Sequence, residues 1–268
     1  PMCVVNPEAT SRLIHNLVFF GAAEWTFFLL GVLSLLAYYH TYPLARQGKM
    51  SQGAHLGIGL VYAVAGYLSL VIINGIITFM LTPGQGLVTG NIWQGFFNPT
   101  YFPSLVARTG ICLILAGMFA LLTAPRIASA PARRLAVRAS GLWIILPLAL
   151  LLAGSVWYFL ALPPTRHAAV LRRTVDIQPF LISYGWVLPL IFLAGIAVFV
   201  RAERLRKPLA LVILLSGLVM VGSFEWVRET ARRPWIAENY MYSNGMTVRQ
   251  EARANPGGVA DVSGWPRS

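Results

Sequence analysis

Leu56–Leu81 reads LGIGLVYAVAGYLSLVIINGIITFML and holds no Asp, Glu, Lys, Arg or His. A bilayer's hydrocarbon core takes about 20 mostly apolar residues to cross as a helix. Lipid offers no water to backbone N–H and C=O groups, and a helix satisfies them within itself. This stretch therefore reads as a transmembrane helix. Gly57, Gly59, Ala63 and Gly66 give it a small-residue face suited to close packing.

Similar runs flank it on both sides. The first is Leu13–Tyr39, and the third starts after Pro103 and ends near Ala124. The fourth is Leu142–Leu162, the fifth Phe180–Val200, and the sixth runs from after Pro208 to about Val227. Prolines mark most of these ends, as expected where helices start or stop. The expected fold is all-α: a polytopic transmembrane helix bundle of about six spans over residues 13–235, with a short segment 1–12 before it and a tail 236–268 after it. Composition excludes a soluble enzyme, since the 268 residues are 57% hydrophobic and 11% charged, whereas a soluble domain is typically about 25% charged.

The net charge of +12 suggests nucleic acid until it is mapped. Arg46 and Lys49 follow span one; Arg126, Arg133, Arg134 and Arg138 follow span three; Arg201, Arg204, Arg206 and Lys207 follow span five. The opposite connection, Thr82–Phe102, carries no charge, and Pro163–Pro179 carries Arg166, Arg172 and Arg173 among its basic residues. The positive-inside rule places the first set in the cytoplasm and both termini in the periplasm of a bacterial inner membrane. The charge thus orients the chain in lipid, and nucleic acid is not expected as a partner. The two cysteines, Cys3 and Cys112, form no CxxCH haem attachment and no zinc pair. The Thr82–Phe102 segment, rich in Gly, Asn and aromatics, is expected at the interface, packed back on the bundle. Glu238–Ser268 is polar and is expected to have no core of its own.

Ionisable residues at membrane depth are costly and usually face a bundle interior with a partner. Glu24 lies mid-span in the first run, Arg108 one turn into the third, and Glu225 near the outer end of the sixth, followed by Arg228, Glu229, Arg232 and Arg233. His15 stands at the outer start of span one. The span directions gather His15, Arg108, Glu225, Glu229 and Arg232 into one outer layer. Glu24, about half a turn out of phase with His15 at roughly 3.6 residues per turn, faces elsewhere and is the candidate proton-path group. Two readings of the layer stand side by side. One is a haem or quinone site, with His15 as a candidate iron ligand and acid–base groups for a quinone head. The other is a structural ion-pair network, Arg108 with Glu225 and Arg232 with Glu229. His40 and His55 are expected at the inner rim and His167 in a loop, all solvated or interfacial. Met241 and Met246 read as packing.

The stretch Phe224-Glu225-Trp226-Val227-Arg228-Glu229-Thr230-Ala231-Arg232-Arg233-Pro234-Trp235 resembles the GWxxxExGRQPW signature of cytochrome bd quinol oxidase subunit I. The Glu–x–x–Arg–x–Pro–Trp core matches at Glu229, Arg232, Pro234 and Trp235. Arg233 stands for the usual Gln, Ala231 for the usual Gly, and Trp226 is displaced by one position. Phe19-Phe20 with Glu24 resembles the family's glutamate-bearing third helix, and Asn74-Gly75 and Asn98-Pro99 resemble its fourth-helix end and fifth-helix start. The six spans then correspond to family helices three to eight. The resemblance implies a b-type haem at the outer face with Glu229 as ligand, Arg232 beside it at a propionate or orienting the ligand, and Trp235 in the same site. It places the family's low-spin haem histidine at about Ala107, and its methionine ligand has no counterpart in Phe180–Val200. The family's long quinol-binding loop is reduced here to Pro163–Pro179. Oxygen reduction by this chain alone is therefore not expected.

The function expected from these residues is a bd-like integral membrane subunit of a respiratory electron-transfer complex. It would pass electrons between the quinone pool and periplasmic partners such as c-type cytochromes, through a haem b. The alternative is a cofactor-free anchor that docks redox subunits. A transporter with Glu24 as its proton carrier ranks last, because paired broken helices are missing.

Overall fold

The computed structural model describes residues 7–171, 176–233, 235–242 and 246–249, the side chains of 7–10, 12–16, 165, 168, 169 and 204 excepted. The long elements are α1 (Pro7–Arg46), α2 (Gln52–Leu81), α5 (Tyr101–Thr123), α6 (Ala130–Ala161), α8 (Gln178–Val200) and α9 (Lys207–Arg232). Short helices α3 (Gly86–Thr89), α4 (Ile92–Phe96) and α7 (Pro164–Leu171) lie between them, and a small hairpin pairs β1 (Trp235–Ala237) with β2 (Met241–Tyr242). Among the described residues six helices are long and apolar enough to cross a membrane, so the chain has an all-α polytopic fold. It divides into two compact units, residues 1–101 with 234–268, and residues 102–233.

In the first unit α1 and α2 form a helical hairpin. Helix α1 breaks at Leu17, where φ −119° and ψ 19° leave the helical region. From there it runs unbroken through Pro43 to Arg46, past the expected end at Tyr39. A Schellman motif stops it: Lys49 N donates to Leu44 O at 3.0 Å and Gly48 N to Ala45 O at 3.2 Å, with Gly48 at φ +71°. That left-handed backbone favours glycine. Ser51 then caps α2, its hydroxyl accepting from Ala54 N at 3.1 Å. Near this turn His55, expected to be solvated or interfacial, is buried. It stacks on Tyr38 at 4.1 Å and bonds to Thr41 Oγ1 through Nδ1 at 3.0 Å.

The segment after α2 packs back on the hairpin, as its aromatics suggest. Phe96 stacks on Phe20 at 4.0 Å, and Trp93 meets the same ring edge-on at 5.2 Å. Gly75 makes room for Phe96, since a Cβ there would lie 2.3 Å from the ring. Underneath runs a buried polar network. Asn98 Nδ2 reaches Thr78 Oγ1 at 2.9 Å, Gly95 O at 3.1 Å and Phe96 O at 3.2 Å. Its Oδ1 accepts from Thr82 at 3.0 Å and from Thr100 N at 3.2 Å. Asn74 Nδ2 donates to Tyr101 O at 2.9 Å. The start of the expected tail is built onto the same unit: Glu238 N donates to Met80 O at 3.3 Å, and Ile236 and Met241 pack with Met80. Residues 250–268 of that tail lie outside the described residues.

The second unit is built on α5, α6, α8 and α9. Ala107, Ile111, Ile114, Met118 and Leu121 line the buried seam of α5. Their alternating spacing of four and three is the periodicity of knobs-into-holes packing. Ile144, Leu148 and Leu151 answer from α6, Leu188, Ile191 and Val198 from α8, and Ile213, Met220 and Phe224 from α9. Glycines set the closest approach. A Cβ on Gly154 would meet Ala107 N at 2.5 Å, and one on Gly110 would meet Leu151 N at 2.8 Å. Gly154→Ala is expected to cost about 1–3 kcal/mol by overpacking, read as a lower melting midpoint in detergent.

Helix α6 starts at Ala130, twelve residues before the expected span. Pro131 suits a first turn, and the arginines of this stretch keep their heads in water while their stems stay helical. The loop between α6 and α8 holds the helix α7, where His167 stacks on Phe159 at 4.7 Å and its Nε2 lies 2.6 Å from Phe159 O.

Candidate functional site

Glu225, Arg228, Glu229 and Arg232 recur at three- and four-residue spacing, so they form one stripe on the last two turns of α9. Arg108, on α5, completes it. Arg108 Nη2 approaches Glu225 Oε1 at 2.6 Å off the hydrogen-bonding direction, so the contact is an ion pair and not an aligned hydrogen bond. Ser104 Oγ, one turn earlier, accepts from Arg108 Nε at 3.3 Å. Arg228 Nε donates to Glu225 Oε2 at 2.8 Å, and its Nη2 lies 3.7 Å from Glu229 Oε2. Arg232 donates to Glu229 Oε1.

The order along the stripe is thus Arg108, Glu225, Arg228, Glu229, Arg232, with charges alternating throughout. The guanidiniums are the sunken members, at 15%, 13% and 10% exposure, while the carboxylates are 32% and 43% exposed. Burial of this kind is tolerated because each arginine has a carboxylate at hand. Arg166 of α7 adds a further cation, its Nη1 donating to Ala231 O at 3.1 Å and Arg233 O at 3.2 Å. These carbonyls close α9, where its dipole favours positive charge. Nearby, Trp226 Nε1 donates to Asp176 O at 3.0 Å, and its ring stacks on Phe180 at 5.0 Å.

Arg108, Glu225, Glu229 and Arg232 are brought together as the span directions required, in the pairs named by the ion-pair reading. The role of Arg166 is not apparent from sequence, where it is one basic loop residue among several. Only the cation preference of a helix C-terminus hints at it. Trp235 and Glu24 belong to the other unit. Trp235 stacks on Tyr242 at 4.2 Å across the β-hairpin. Glu24 Oε1 accepts from Ser69 Oγ at 2.8 Å, joining α1 to α2 at membrane depth. His15 lies on α1 ahead of the break at Leu17, and its side chain is outside the described residues.

The residues can be tested against a haem. Ala107, at the position of the family's histidine, is fully buried against α6 at Gly154, and a ligand-bearing side chain with a macrocycle does not fit into that contact. Both oxygens of Glu229 face guanidiniums, and an iron bond would require one of them to leave. Among the described residues no three His, Cys, Asp or Glu side chains are grouped to hold a metal ion. The chemistry of the stripe is that of charge neutralisation and rigid helix ends. No protein-family model and no curated protein matches the chain.

Proposed function

We propose that the chain is a bd-like membrane subunit of an electron-transfer complex, acting in a bacterial inner membrane as a cofactor-free anchor on which redox subunits dock. One observation carries this reading: the residues that the signature would assign to a cofactor, Glu229 and Arg232, are engaged with each other and with Arg228. A site of this kind holds a helix end stiff and presents its carboxylates outward. Partially exposed carboxylates beside sunken arginines suit a charged partner surface, where complementarity governs docking and register more than affinity.

The test is to isolate the membrane complex with wild-type chain and with Glu229→Gln. The expected result is several-fold less partner protein co-purifying with the variant, while quinone reduction per assembled complex is unchanged. A reduced-minus-oxidised spectrum of the isolated chain showing a b-type band, lost in Glu229→Gln, overturns the anchor reading.

That same band would establish the second reading, in which the subunit passes electrons between the quinone pool and c-type cytochromes through a haem b. It draws support from the resemblance of Glu229, Arg232, Pro234 and Trp235 to the Glu–x–x–Arg–x–Pro–Trp core of the signature.

A further inference from the structure

Two cavities of the second unit share Arg201. The first, about 200 Å³, is lined by Arg134, Arg138, Val200, Arg201, Ala202 and Glu203. It lies where the early turns of α6 meet the end of α8. The second, about 230 Å³, is walled besides Arg201 by Ala194, Ala197 and Val198 of α8, Leu205, and Leu209 and Ile213 of α9. The small alanines open it, and it runs from the helix ends into the apolar part of the spans.

The charges of the first cavity do not balance. Glu203 is taken by Arg134. Arg138 and Arg201 have no acidic partner among the described residues. Guanidiniums of this kind bind phosphate oxygens through charge-assisted, often bidentate hydrogen bonds. A ligand filling both cavities has an anionic, phosphate-like head and an apolar chain. The positive-inside effect alone accounts for basic residues at this end of the helices, but it does not require them to line a cavity that adjoins an apolar groove at Arg201. Arg133, exposed on the same turn of α6 as Arg134 and absent from the cavity wall, would orient the chain equally well.

We infer that this is a binding site for an anionic phospholipid, its phosphodiester between Arg138 and Arg201 and one acyl chain in the α8–α9 groove. A neutral lipid would bring a cationic headgroup against these guanidiniums. A free phosphate would leave the groove to detergent or to bulk lipid. Basic pockets between membrane helices hold anionic headgroups on this physical basis.

The experiment uses the full chain, purified in mild detergent, stripped of lipid, and offered phosphatidylglycerol, phosphatidylcholine with the same acyl chains, or inorganic phosphate. Bound lipid is counted by native mass spectrometry. Phosphatidylglycerol is expected to be retained and phosphatidylcholine not. The double variant Arg138→Gln/Arg201→Gln is expected to lose retention by about 10-fold. Ala197→Phe, and the milder Ala194→Leu, fill the groove without changing charge and are expected to weaken retention as well. Arg133→Gln is the control and is expected to leave it unchanged.

Equal retention of both lipids overturns the inference. So does a loss on Arg133→Gln matching that of the double variant, which would mean diffuse surface attraction. Displacement of phosphatidylglycerol by millimolar phosphate, with no effect of Ala197→Phe or Ala194→Leu, would mean an anion site without a lipid and would also overturn it.

Discussion

Glu225→Ala is expected to destabilise the second unit by about 3 kcal/mol, because removing one member of a sunken ion pair strands its partners. The stranded groups are Arg108 and Arg228, both largely withdrawn from solvent. Arg228 retains a distant contact with Glu229 at 3.7 Å, and Arg108 retains Ser104. Most of the penalty therefore falls on Arg108. The double variant Arg108→Leu/Glu225→Leu is expected to recover most of the loss, since an apolar pair of similar volume carries no desolvation cost. Thermal midpoints in one detergent, for both singles and the double, check this. A double variant no better than Glu225→Ala would show that the pair is held for its geometry and not for its charge balance.

Asn98→Ala is expected to cost about 2–4 kcal/mol, since Thr100 N and the Gly95 and Phe96 carbonyls lose a buried partner, a loss of about 1–3 kcal/mol for a group left orphaned, while the Thr78 and Thr82 hydroxyls keep Asn74 O and Thr100 Oγ1. Asn98→Asp separates the two halves of the amide. It keeps the acceptor and loses both donors, so it is expected to fare no better than alanine. The loss should appear as proteolytic cleavage between α2 and α5, because the network is what ties that segment down. An Asn98→Asp variant as stable as wild type would place the stabilisation in the acceptor side alone.

Lipid makes the six spans legible, since an apolar run long enough to cross it can hardly be anything but a helix. What hydropathy measures, however, is the thickness of the lipid and not the length of the helix. Helix α1 continues to Arg46 and α6 begins at Ala130 because their ends are set by local chemistry: the Gly48 turn and Pro131 in a first turn. The stripe on α9 is legible for a similar reason. Glu225, Arg228, Glu229 and Arg232 fall on one helical face whatever the tertiary fold, and the span directions bring Arg108 level with them. Arg166 has no such regularity behind it, because its carbonyl partners come from a helix end far along the chain. The same holds for Asn98, whose polar partners come from the end of α2 and from its own turn. His55 stacks on Tyr38 of the expected span, and the longer-than-expected α1 adds Thr41 beside it.

The α1–α2 hairpin is also a ruler laid against the bilayer. From Leu17 the first arm has 30 residues, about 45 Å at 1.5 Å per residue, against a hydrocarbon core of about 30 Å. The second arm also has 30 residues. Laid along the bilayer normal, the hairpin spans both headgroup layers as well, which bring the bilayer to about 40–45 Å, and the Gln47–Ser51 turn stands level with one of them. Whatever approaches that side of the membrane meets the turn and the headgroups together.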